Sequence, residues 1–89
     1  MKNLKLTIFG EVQGIGFRFE ARRLANSLGL TGFVRNEPDG SLYIEIEGGE
    51  DGLEKFLEWC KFGPDAARVS DIHREESDEL KKYDDFLIE

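Results

Sequence analysis

Gly32-Phe33-Val34-Arg35-Asn36-Glu37-Pro38-Asp39-Gly40-Ser41-Leu42-Tyr43-Ile44-Glu45-Ile46-Glu47 decides the fold. Two strand-like runs flank a turn. Pro38 presets φ for the first central position of a turn, and Gly40 accepts the left-handed one. Pro38-Asp39-Gly40 therefore suits a three-residue hairpin loop, a type I turn followed by a G1 bulge. That loop pairs Glu37 with Ser41 and sets the register. Asn36 faces Leu42, Val34 faces Ile44, and Gly32 faces Ile46. The apolar positions of both strands then fall on one face, so turn chemistry and hydrophobic pattern agree.

Moving outward, each strand of this hairpin adjoins a helix. Upstream, Phe17, Ala21, Leu24, Ala25 and Leu28 form an apolar stripe on a helix over about 18–28, with Gly29 placed to end it. Downstream, Leu53, Phe56, Leu57 and Cys60 form a second stripe over about 50–61, stopped by Gly63-Pro64. Further out, Leu4, Leu6 and Ile8 alternate with polar residues as in a half-buried strand. A fourth strand near Val69–Arg74 is poorly patterned, and Phe86-Leu87-Ile88 reads as a short last one. The order is strand, helix, strand, strand, helix, strand. This is the split β-α-β pattern of an α+β, ferredoxin-like two-layer sandwich: an antiparallel sheet with two helices on one face.

Composition narrows the function classes. At 89 residues the chain has room for one domain, 1–89, without a large enclosed cavity. One cysteine, Cys60, excludes an intramolecular disulfide, and with the single histidine, His73, it cannot build a zinc site. Cys60 lies on a helical stripe without a basic partner and reads as a small buried hydrophobe. No apolar run is long enough to span a membrane, and Met1–Leu6 lacks the core of a signal peptide, so a cytoplasmic protein is expected. The net charge of −7 argues against nucleic acid as the main partner. The charge is uneven, because residues 1–45 carry +1 and residues 46–89 carry −8. Four of the six arginines fall between positions 18 and 35, which suggests a small anionic ligand. The acidic stretch Asp71–Asp85 lacks calcium-loop spacing and reads as a solvated surface.

Gly10-Glu11-Val12-Gln13-Gly14-Ile15-Gly16-Phe17-Arg18 joins the first strand to the first helix. It is neither a dinucleotide fingerprint, since Phe19 stands at the third glycine position, nor a Walker loop, since no Gly-Lys-Ser/Thr follows. A glycine-rich turn entering a helix presents N–H groups that have no intrahelical acceptor, at the positive end of the helix dipole. The amides of Gln13, Gly14, Ile15, Gly16, Phe17 and Arg18 could form a nest around a phosphate-sized anion, with Arg18 adding a full charge. The alternative is a tight strand-to-helix turn with Arg18 on the surface. Asn36 favours the anion site. It ends its strand on the helix-facing side, and its amide can hold a water in line with a bound phosphorus atom.

These residues carry a family resemblance. Gly10–Arg18 resembles the first acylphosphatase motif, G-x-V-Q-G-[V/I]-x-F-R. Gly32-Phe33-Val34-Arg35-Asn36, with Pro38–Leu42 and Gly48 downstream, resembles the second, and Gly63-Pro64 with Ala66, Ala67 and Val69 a looser third. The resemblance implies a metal-independent enzyme, without cofactor, that hydrolyses the carboxyl-phosphate bond of acyl phosphates to a carboxylate and inorganic phosphate. It implies that Arg18 and the loop amides bind the phosphate, that Asn36 orients the attacking water, and that the substrate helps to deprotonate that water. A monomer acting on a small molecule, with no nucleic-acid or membrane partner, is expected.

Two other readings compete. Thr7, Phe9, Phe33 and Tyr43 would share the helix-free face, where aromatics can stack RNA bases. The chain could also be a non-catalytic accessory module of the same fold. One departure bears on the enzyme reading: Glu37 puts a carboxylate next to Asn36, which weakens anion binding unless it points away. Asp65 after Pro64, where many relatives carry a second proline, and Arg74 in the last long strand are further departures.

Overall fold

The computed structural model describes residues 1–89. Seven elements follow in order: β1 (Lys2–Glu11), α1 (Phe17–Ser27), β2 (Thr31–Asn36), β3 (Leu42–Gly48), α2 (Glu50–Cys60), β4 (Arg68–Ser77) and β5 (Phe86–Ile88). The sheet order is β4-β1-β3-β2-β5. Both helices cover one face, as the two stripes require. Phe17, Ala21 and Ala25 of α1 and Leu53, Phe56, Leu57 and Cys60 of α2 are buried there. They pack on Leu4, Leu6 and Ile8 of β1, Val34 of β2 and Leu42, Ile44 and Ile46 of β3. This is the ferredoxin-like sandwich. The Cα radius of gyration is 11.8 Å.

The central hairpin has the register read from its turn. Asn36 lies opposite Leu42, Val34 opposite Ile44, and Gly32 opposite Ile46. Glu37 N–H donates to Ser41 O at 2.9 Å and Gly40 N–H to Glu37 O at 3.1 Å, with Gly40 at φ +93°. Asp39 adds a side-chain lock that the backbone logic did not include: its carboxylate accepts from Ser41 N–H and Ser41 Oγ.

Two features differ from the sequence reading. The sheet is mixed, not antiparallel, because β5 pairs parallel with β2 through Gly32–Phe86, Phe33–Leu87 and Val34–Ile88. The chain from Asp78 to Asp85 crosses the helix-free side of the sheet and so delivers β5 to the outer edge of β2 in β2's own direction. β4 is also longer than Val69–Arg74 and runs over ten residues. Its pattern is poor for a specific reason. The register with β1 shifts between Phe9 and Gly10, where Ile8 faces Ile72, Phe9 faces Asp71, and Gly10 faces Val69. This bulge takes up Ser70, so Val69 and Ile72 reach the same face although they are three residues apart.

The helix-free face is not bare. Asn3, Glu45 and Glu47 are buried there. Asn3 Nδ2 donates to both carboxylates, at 3.1 Å to Glu45 and 2.7 Å to Glu47. The Asp78–Asp85 segment supplies the other donors. Lys81 N–H and Lys82 N–H bind Glu47, Tyr83 Oη binds Glu45 at 2.8 Å, and Lys81 Nζ lies 3.1 Å from Glu45. The run read as a solvated surface thus exposes its acidic side chains while its backbone is strapped to the sheet.

Candidate active site

The loop from Val12 to Gly16 leaves β1 and enters α1. Gly14 and Gly16 stand at φ +78° and +82°. A Cβ at either would meet nothing within 4 Å, so it is the left-handed backbone, not space, that calls for glycine. Alternating left-handed residues turn successive N–H groups toward one side, which is the geometry of an anion nest. No N–H from Gln13 to Gly16 donates a hydrogen bond within the protein, and Gly16 caps α1 without a side-chain partner. The N–H groups of Phe17, Arg18 and Phe19 have no intrahelical acceptor either.

Gly14, Gly16, Phe17, Arg18 and Asn36 line one cavity of about 150 Å³. Two residues of the sequence-based set, Gln13 and Ile15, do not border it. The Gln13 side chain turns toward the hairpin instead. Its Nε2 donates to Glu37 O at 2.8 Å and Ser41 O at 3.0 Å, which ties the glycine loop to the turn that follows Asn36. Ile15 faces a neighbouring groove.

Val12, Phe19 and Ile88 complete the cavity wall. Val12 sits inside the glycine motif and Phe19 directly follows it. Ile88 carried no local signal, because its place depends on the parallel pairing of β5. The neighbouring Glu89 matters as well, since its main-chain oxygen accepts from Arg18 Nη1 at 3.2 Å. Arg18, half-buried, is thereby held across the opening between α1 and β5. It is the only charged side chain on the wall.

Glu37 points away. Arg35 Nε donates to Glu37 Oε1 at 2.9 Å, and the Arg35 guanidinium lies 4.9 Å from the Tyr43 ring centroid and 5.6 Å from that of Phe33. All of this is on the helix-free face, because residues 33, 35 and 37 alternate with 32, 34 and 36. Cys60 is fully buried, and burial pushes its thiol well above the ordinary range, so it is no nucleophile. No cluster of three His, Cys, Asp or Glu side chains is arranged to hold a metal ion, and no helix is long and apolar enough to cross a membrane.

The arrangement offers hydrogen-bond donors, one cation and one amide, with no acid and no nucleophile on the wall. Comparison with known proteins identifies the family. The acylphosphatase family model matches residues 4–88. An acylphosphatase from Thermotoga petrophila is 47% identical over 88 residues, which cover 99% of this chain and 97% of that protein. The crystal structure of an acylphosphatase from Bacillus subtilis superposes with a TM-score of 0.96 at 36% identity, covering 99% of this chain and 98% of the other. The structure of T. kodakarensis HypF superposes with a TM-score of 0.85 at 31% identity, but there the match covers 12% of a longer chain. On sequence and on structure, this chain belongs to the acylphosphatase family.

Proposed function

We propose that this protein hydrolyses acyl phosphates to a carboxylate and inorganic phosphate at the Arg18–Asn36 cavity. One observation supports the proposal: Gly14, Gly16, Phe17, Arg18 and Asn36 line one cavity with no carboxylate side chain on its wall, and no protein group accepts from the loop N–H groups. The phosphoryl oxygens accept from the loop N–H groups and from Arg18. Asn36 accepts from the attacking water and holds it in line. The water oxygen bonds to phosphorus as the phosphorus–carboxyl oxygen bond breaks, and the carboxylate leaves with the electron pair. The water proton passes to a phosphoryl oxygen of the substrate, since no side chain on the wall can take it. An acyl phosphate has a good leaving group, so positioning and charge stabilisation suffice.

Residues 1–89 act in this scheme as one domain and a monomer, on a small molecule in the cytoplasm. The RNA-stacking alternative loses its support on the helix-free face, where Tyr83 packs against Phe33 and two carboxylates are buried under the strap. The accessory-module alternative is disfavoured by the chain's match to free-standing acylphosphatases over nearly their whole length.

The test is hydrolysis of benzoyl and acetyl phosphate with and without a chelator. Turnover is expected to be indifferent to the chelator. Arg18→Ala should lose about 2–5 kcal/mol of transition-state stabilisation, by analogy with truncated buried charge pairs. Asn36→Ala should lose kcat at nearly constant affinity for inorganic phosphate. Wild-type turnover in either folded variant would refute the site.

A further inference from the structure

The Arg18–Asn36 cavity accounts for the phosphate and the water, but an acyl phosphate also carries an acyl group. Beside that cavity lies a second, wider groove of about 420 Å³. Gly16 and Phe19 belong to the walls of both. A group leaving the phosphate cavity over that shared edge enters the groove directly.

The groove differs from its neighbour in chemistry. Ile15, Phe19, Trp59 and Pro64 give it apolar sides. Trp59 is held rigidly, edge-on to Phe17 with centroids 5.1 Å apart and tilted against Phe56 at 6.3 Å. Phe19 is half exposed, so part of its ring stands free at the edge between the two spaces. Flat, fixed apolar walls favour a flat or branched apolar guest. The charges on the rim are both negative, Glu20 and Asp65. Glu20 is partly offset by Arg23 at 3.4 Å, whereas the Asp65 carboxylate makes no ion pair and only its main-chain oxygen is engaged, by Arg68. No cation lines the groove.

We propose that this groove is the acyl subsite: it accepts an uncharged apolar acyl group, and Asp65 repels an acyl group that bears a second carboxylate. The subsite rests on the phosphate site proposed above, because the guest reaches it only with its phosphate at Arg18. Ile15, which does not line the phosphate cavity, thereby gains a place in the reaction. The substrate class is narrowed to monocarboxylic, apolar acyl phosphates, as against acyl phosphates of dicarboxylic acids.

The experiment compares kcat/KM for acetyl, benzoyl and succinyl phosphate in the full chain and three variants. Ratios to acetyl phosphate in each protein cancel differences in leaving-group reactivity. Asp65→Lys should raise the succinyl-to-acetyl ratio about 3–10-fold, through charge at a partly solvated site. Glu54→Lys, the same charge change on the exposed side of α2, should leave that ratio within twofold. Trp59→Leu should lower the benzoyl-to-acetyl ratio about tenfold, carried mainly by KM, as for lost contact in an apolar pocket. Should Trp59→Leu fail to fold, the two charge variants decide alone. Equal shifts in the succinyl ratio for Asp65→Lys and Glu54→Lys would overturn the subsite, as would an unchanged benzoyl ratio in folded Trp59→Leu. If the unaltered protein hydrolyses none of the three, or Arg18→Ala hydrolyses acetyl phosphate as well as it does, the phosphate site itself falls.

Discussion

Two irregular segments of this molecule gather main-chain N–H groups around one point, and they use them in opposite ways. In the strap, Lys81 N–H and Lys82 N–H donate to the two oxygens of Glu47 at 2.6 and 2.9 Å, and Lys82 takes a left-handed φ of +59° to do so. In the glycine loop, left-handed Gly14 and Gly16 turn N–H groups outward and no protein acceptor meets them. Both are anion receptors by geometry. One is filled by the protein's own carboxylate and becomes structure. The other has Arg18 beside it, and Glu37, next to Asn36, is drawn to the far face by Arg35. A nest stays open to an outside anion when the fold withholds a carboxylate from it. The two are also connected, because the strap leads into β5, which carries Ile88 to the cavity and Glu89 to Arg18.

The sharpest way to break this contrast is to empty the filled receptor. Glu47→Ala leaves the Lys81 and Lys82 N–H groups without their acceptor and the Asn3 amide with Glu45 alone. Charged hydrogen bonds of this kind are worth about 1.5–3 kcal/mol each and are not additive, so a loss of about 3–4 kcal/mol is expected in chemical denaturation. A loss below 1 kcal/mol would mean that the strap is held by something other than Glu47.

Acid should unfasten the same region from the Glu45 side. Burial alone would raise the Glu45 carboxyl, but hydrogen bonds from Tyr83, Asn3 and Lys81 outweigh it and bring it down to about 2. Glu47 is shifted in the same direction, with burial opposed by donors from Lys81, Asn3 and Lys82. A carboxyl held lower in the folded state than in the unfolded one binds fewer protons when folded. Its stabilisation is therefore complete above about pH 4.5 and drains away as pH falls toward 2. For Glu45 this is about 3 kcal/mol. Glu45→Gln should flatten the fall in unfolding free energy between pH 4.5 and 2, and parallel curves for the two proteins would rule the coupling out.

The contrast also marks what could be read from residues alone. The hairpin register followed from Pro38-Asp39-Gly40 and the alternation of Ile44 and Ile46, because a turn and a pleat are local. Arg18 and Asn36 reach one cavity because that register and the α1 stripe fix the ends of two neighbouring elements. The strap was not legible. Alternation puts Glu45 and Glu47 on the helix-free face, but nothing near them in sequence says that residues 81–83 will cover it. The same gap hid the parallel pairing of β5, and with it Ile88 and the Glu89 contact to Arg18. Gln13 was readable as part of the loop, but its side-chain bonds to Glu37 and Ser41 depend on the hairpin lying alongside.

The gentlest probe fills the open receptor. Inorganic phosphate, the expected product, should bind the folded chain at the glycine loop and not the unfolded one. At a hundredfold excess over its dissociation constant it adds about 2.7 kcal/mol, or about 10–20 °C in Tm for a domain of this size. Potassium chloride at matched ionic strength separates binding from screening, which matters for a chain of net charge −7. Arg18→Ala should lose most of the increment, since it removes the one cation on the cavity wall. Glu47→Ala should melt lower at the start yet keep an increment, provided β5 stays paired with β2. If phosphate instead raised the Tm of Arg18→Ala by as much as it raised that of the unaltered protein, the anion would be settling elsewhere. The loop would then be a turn, and its resemblance to the strap would be geometry without a ligand.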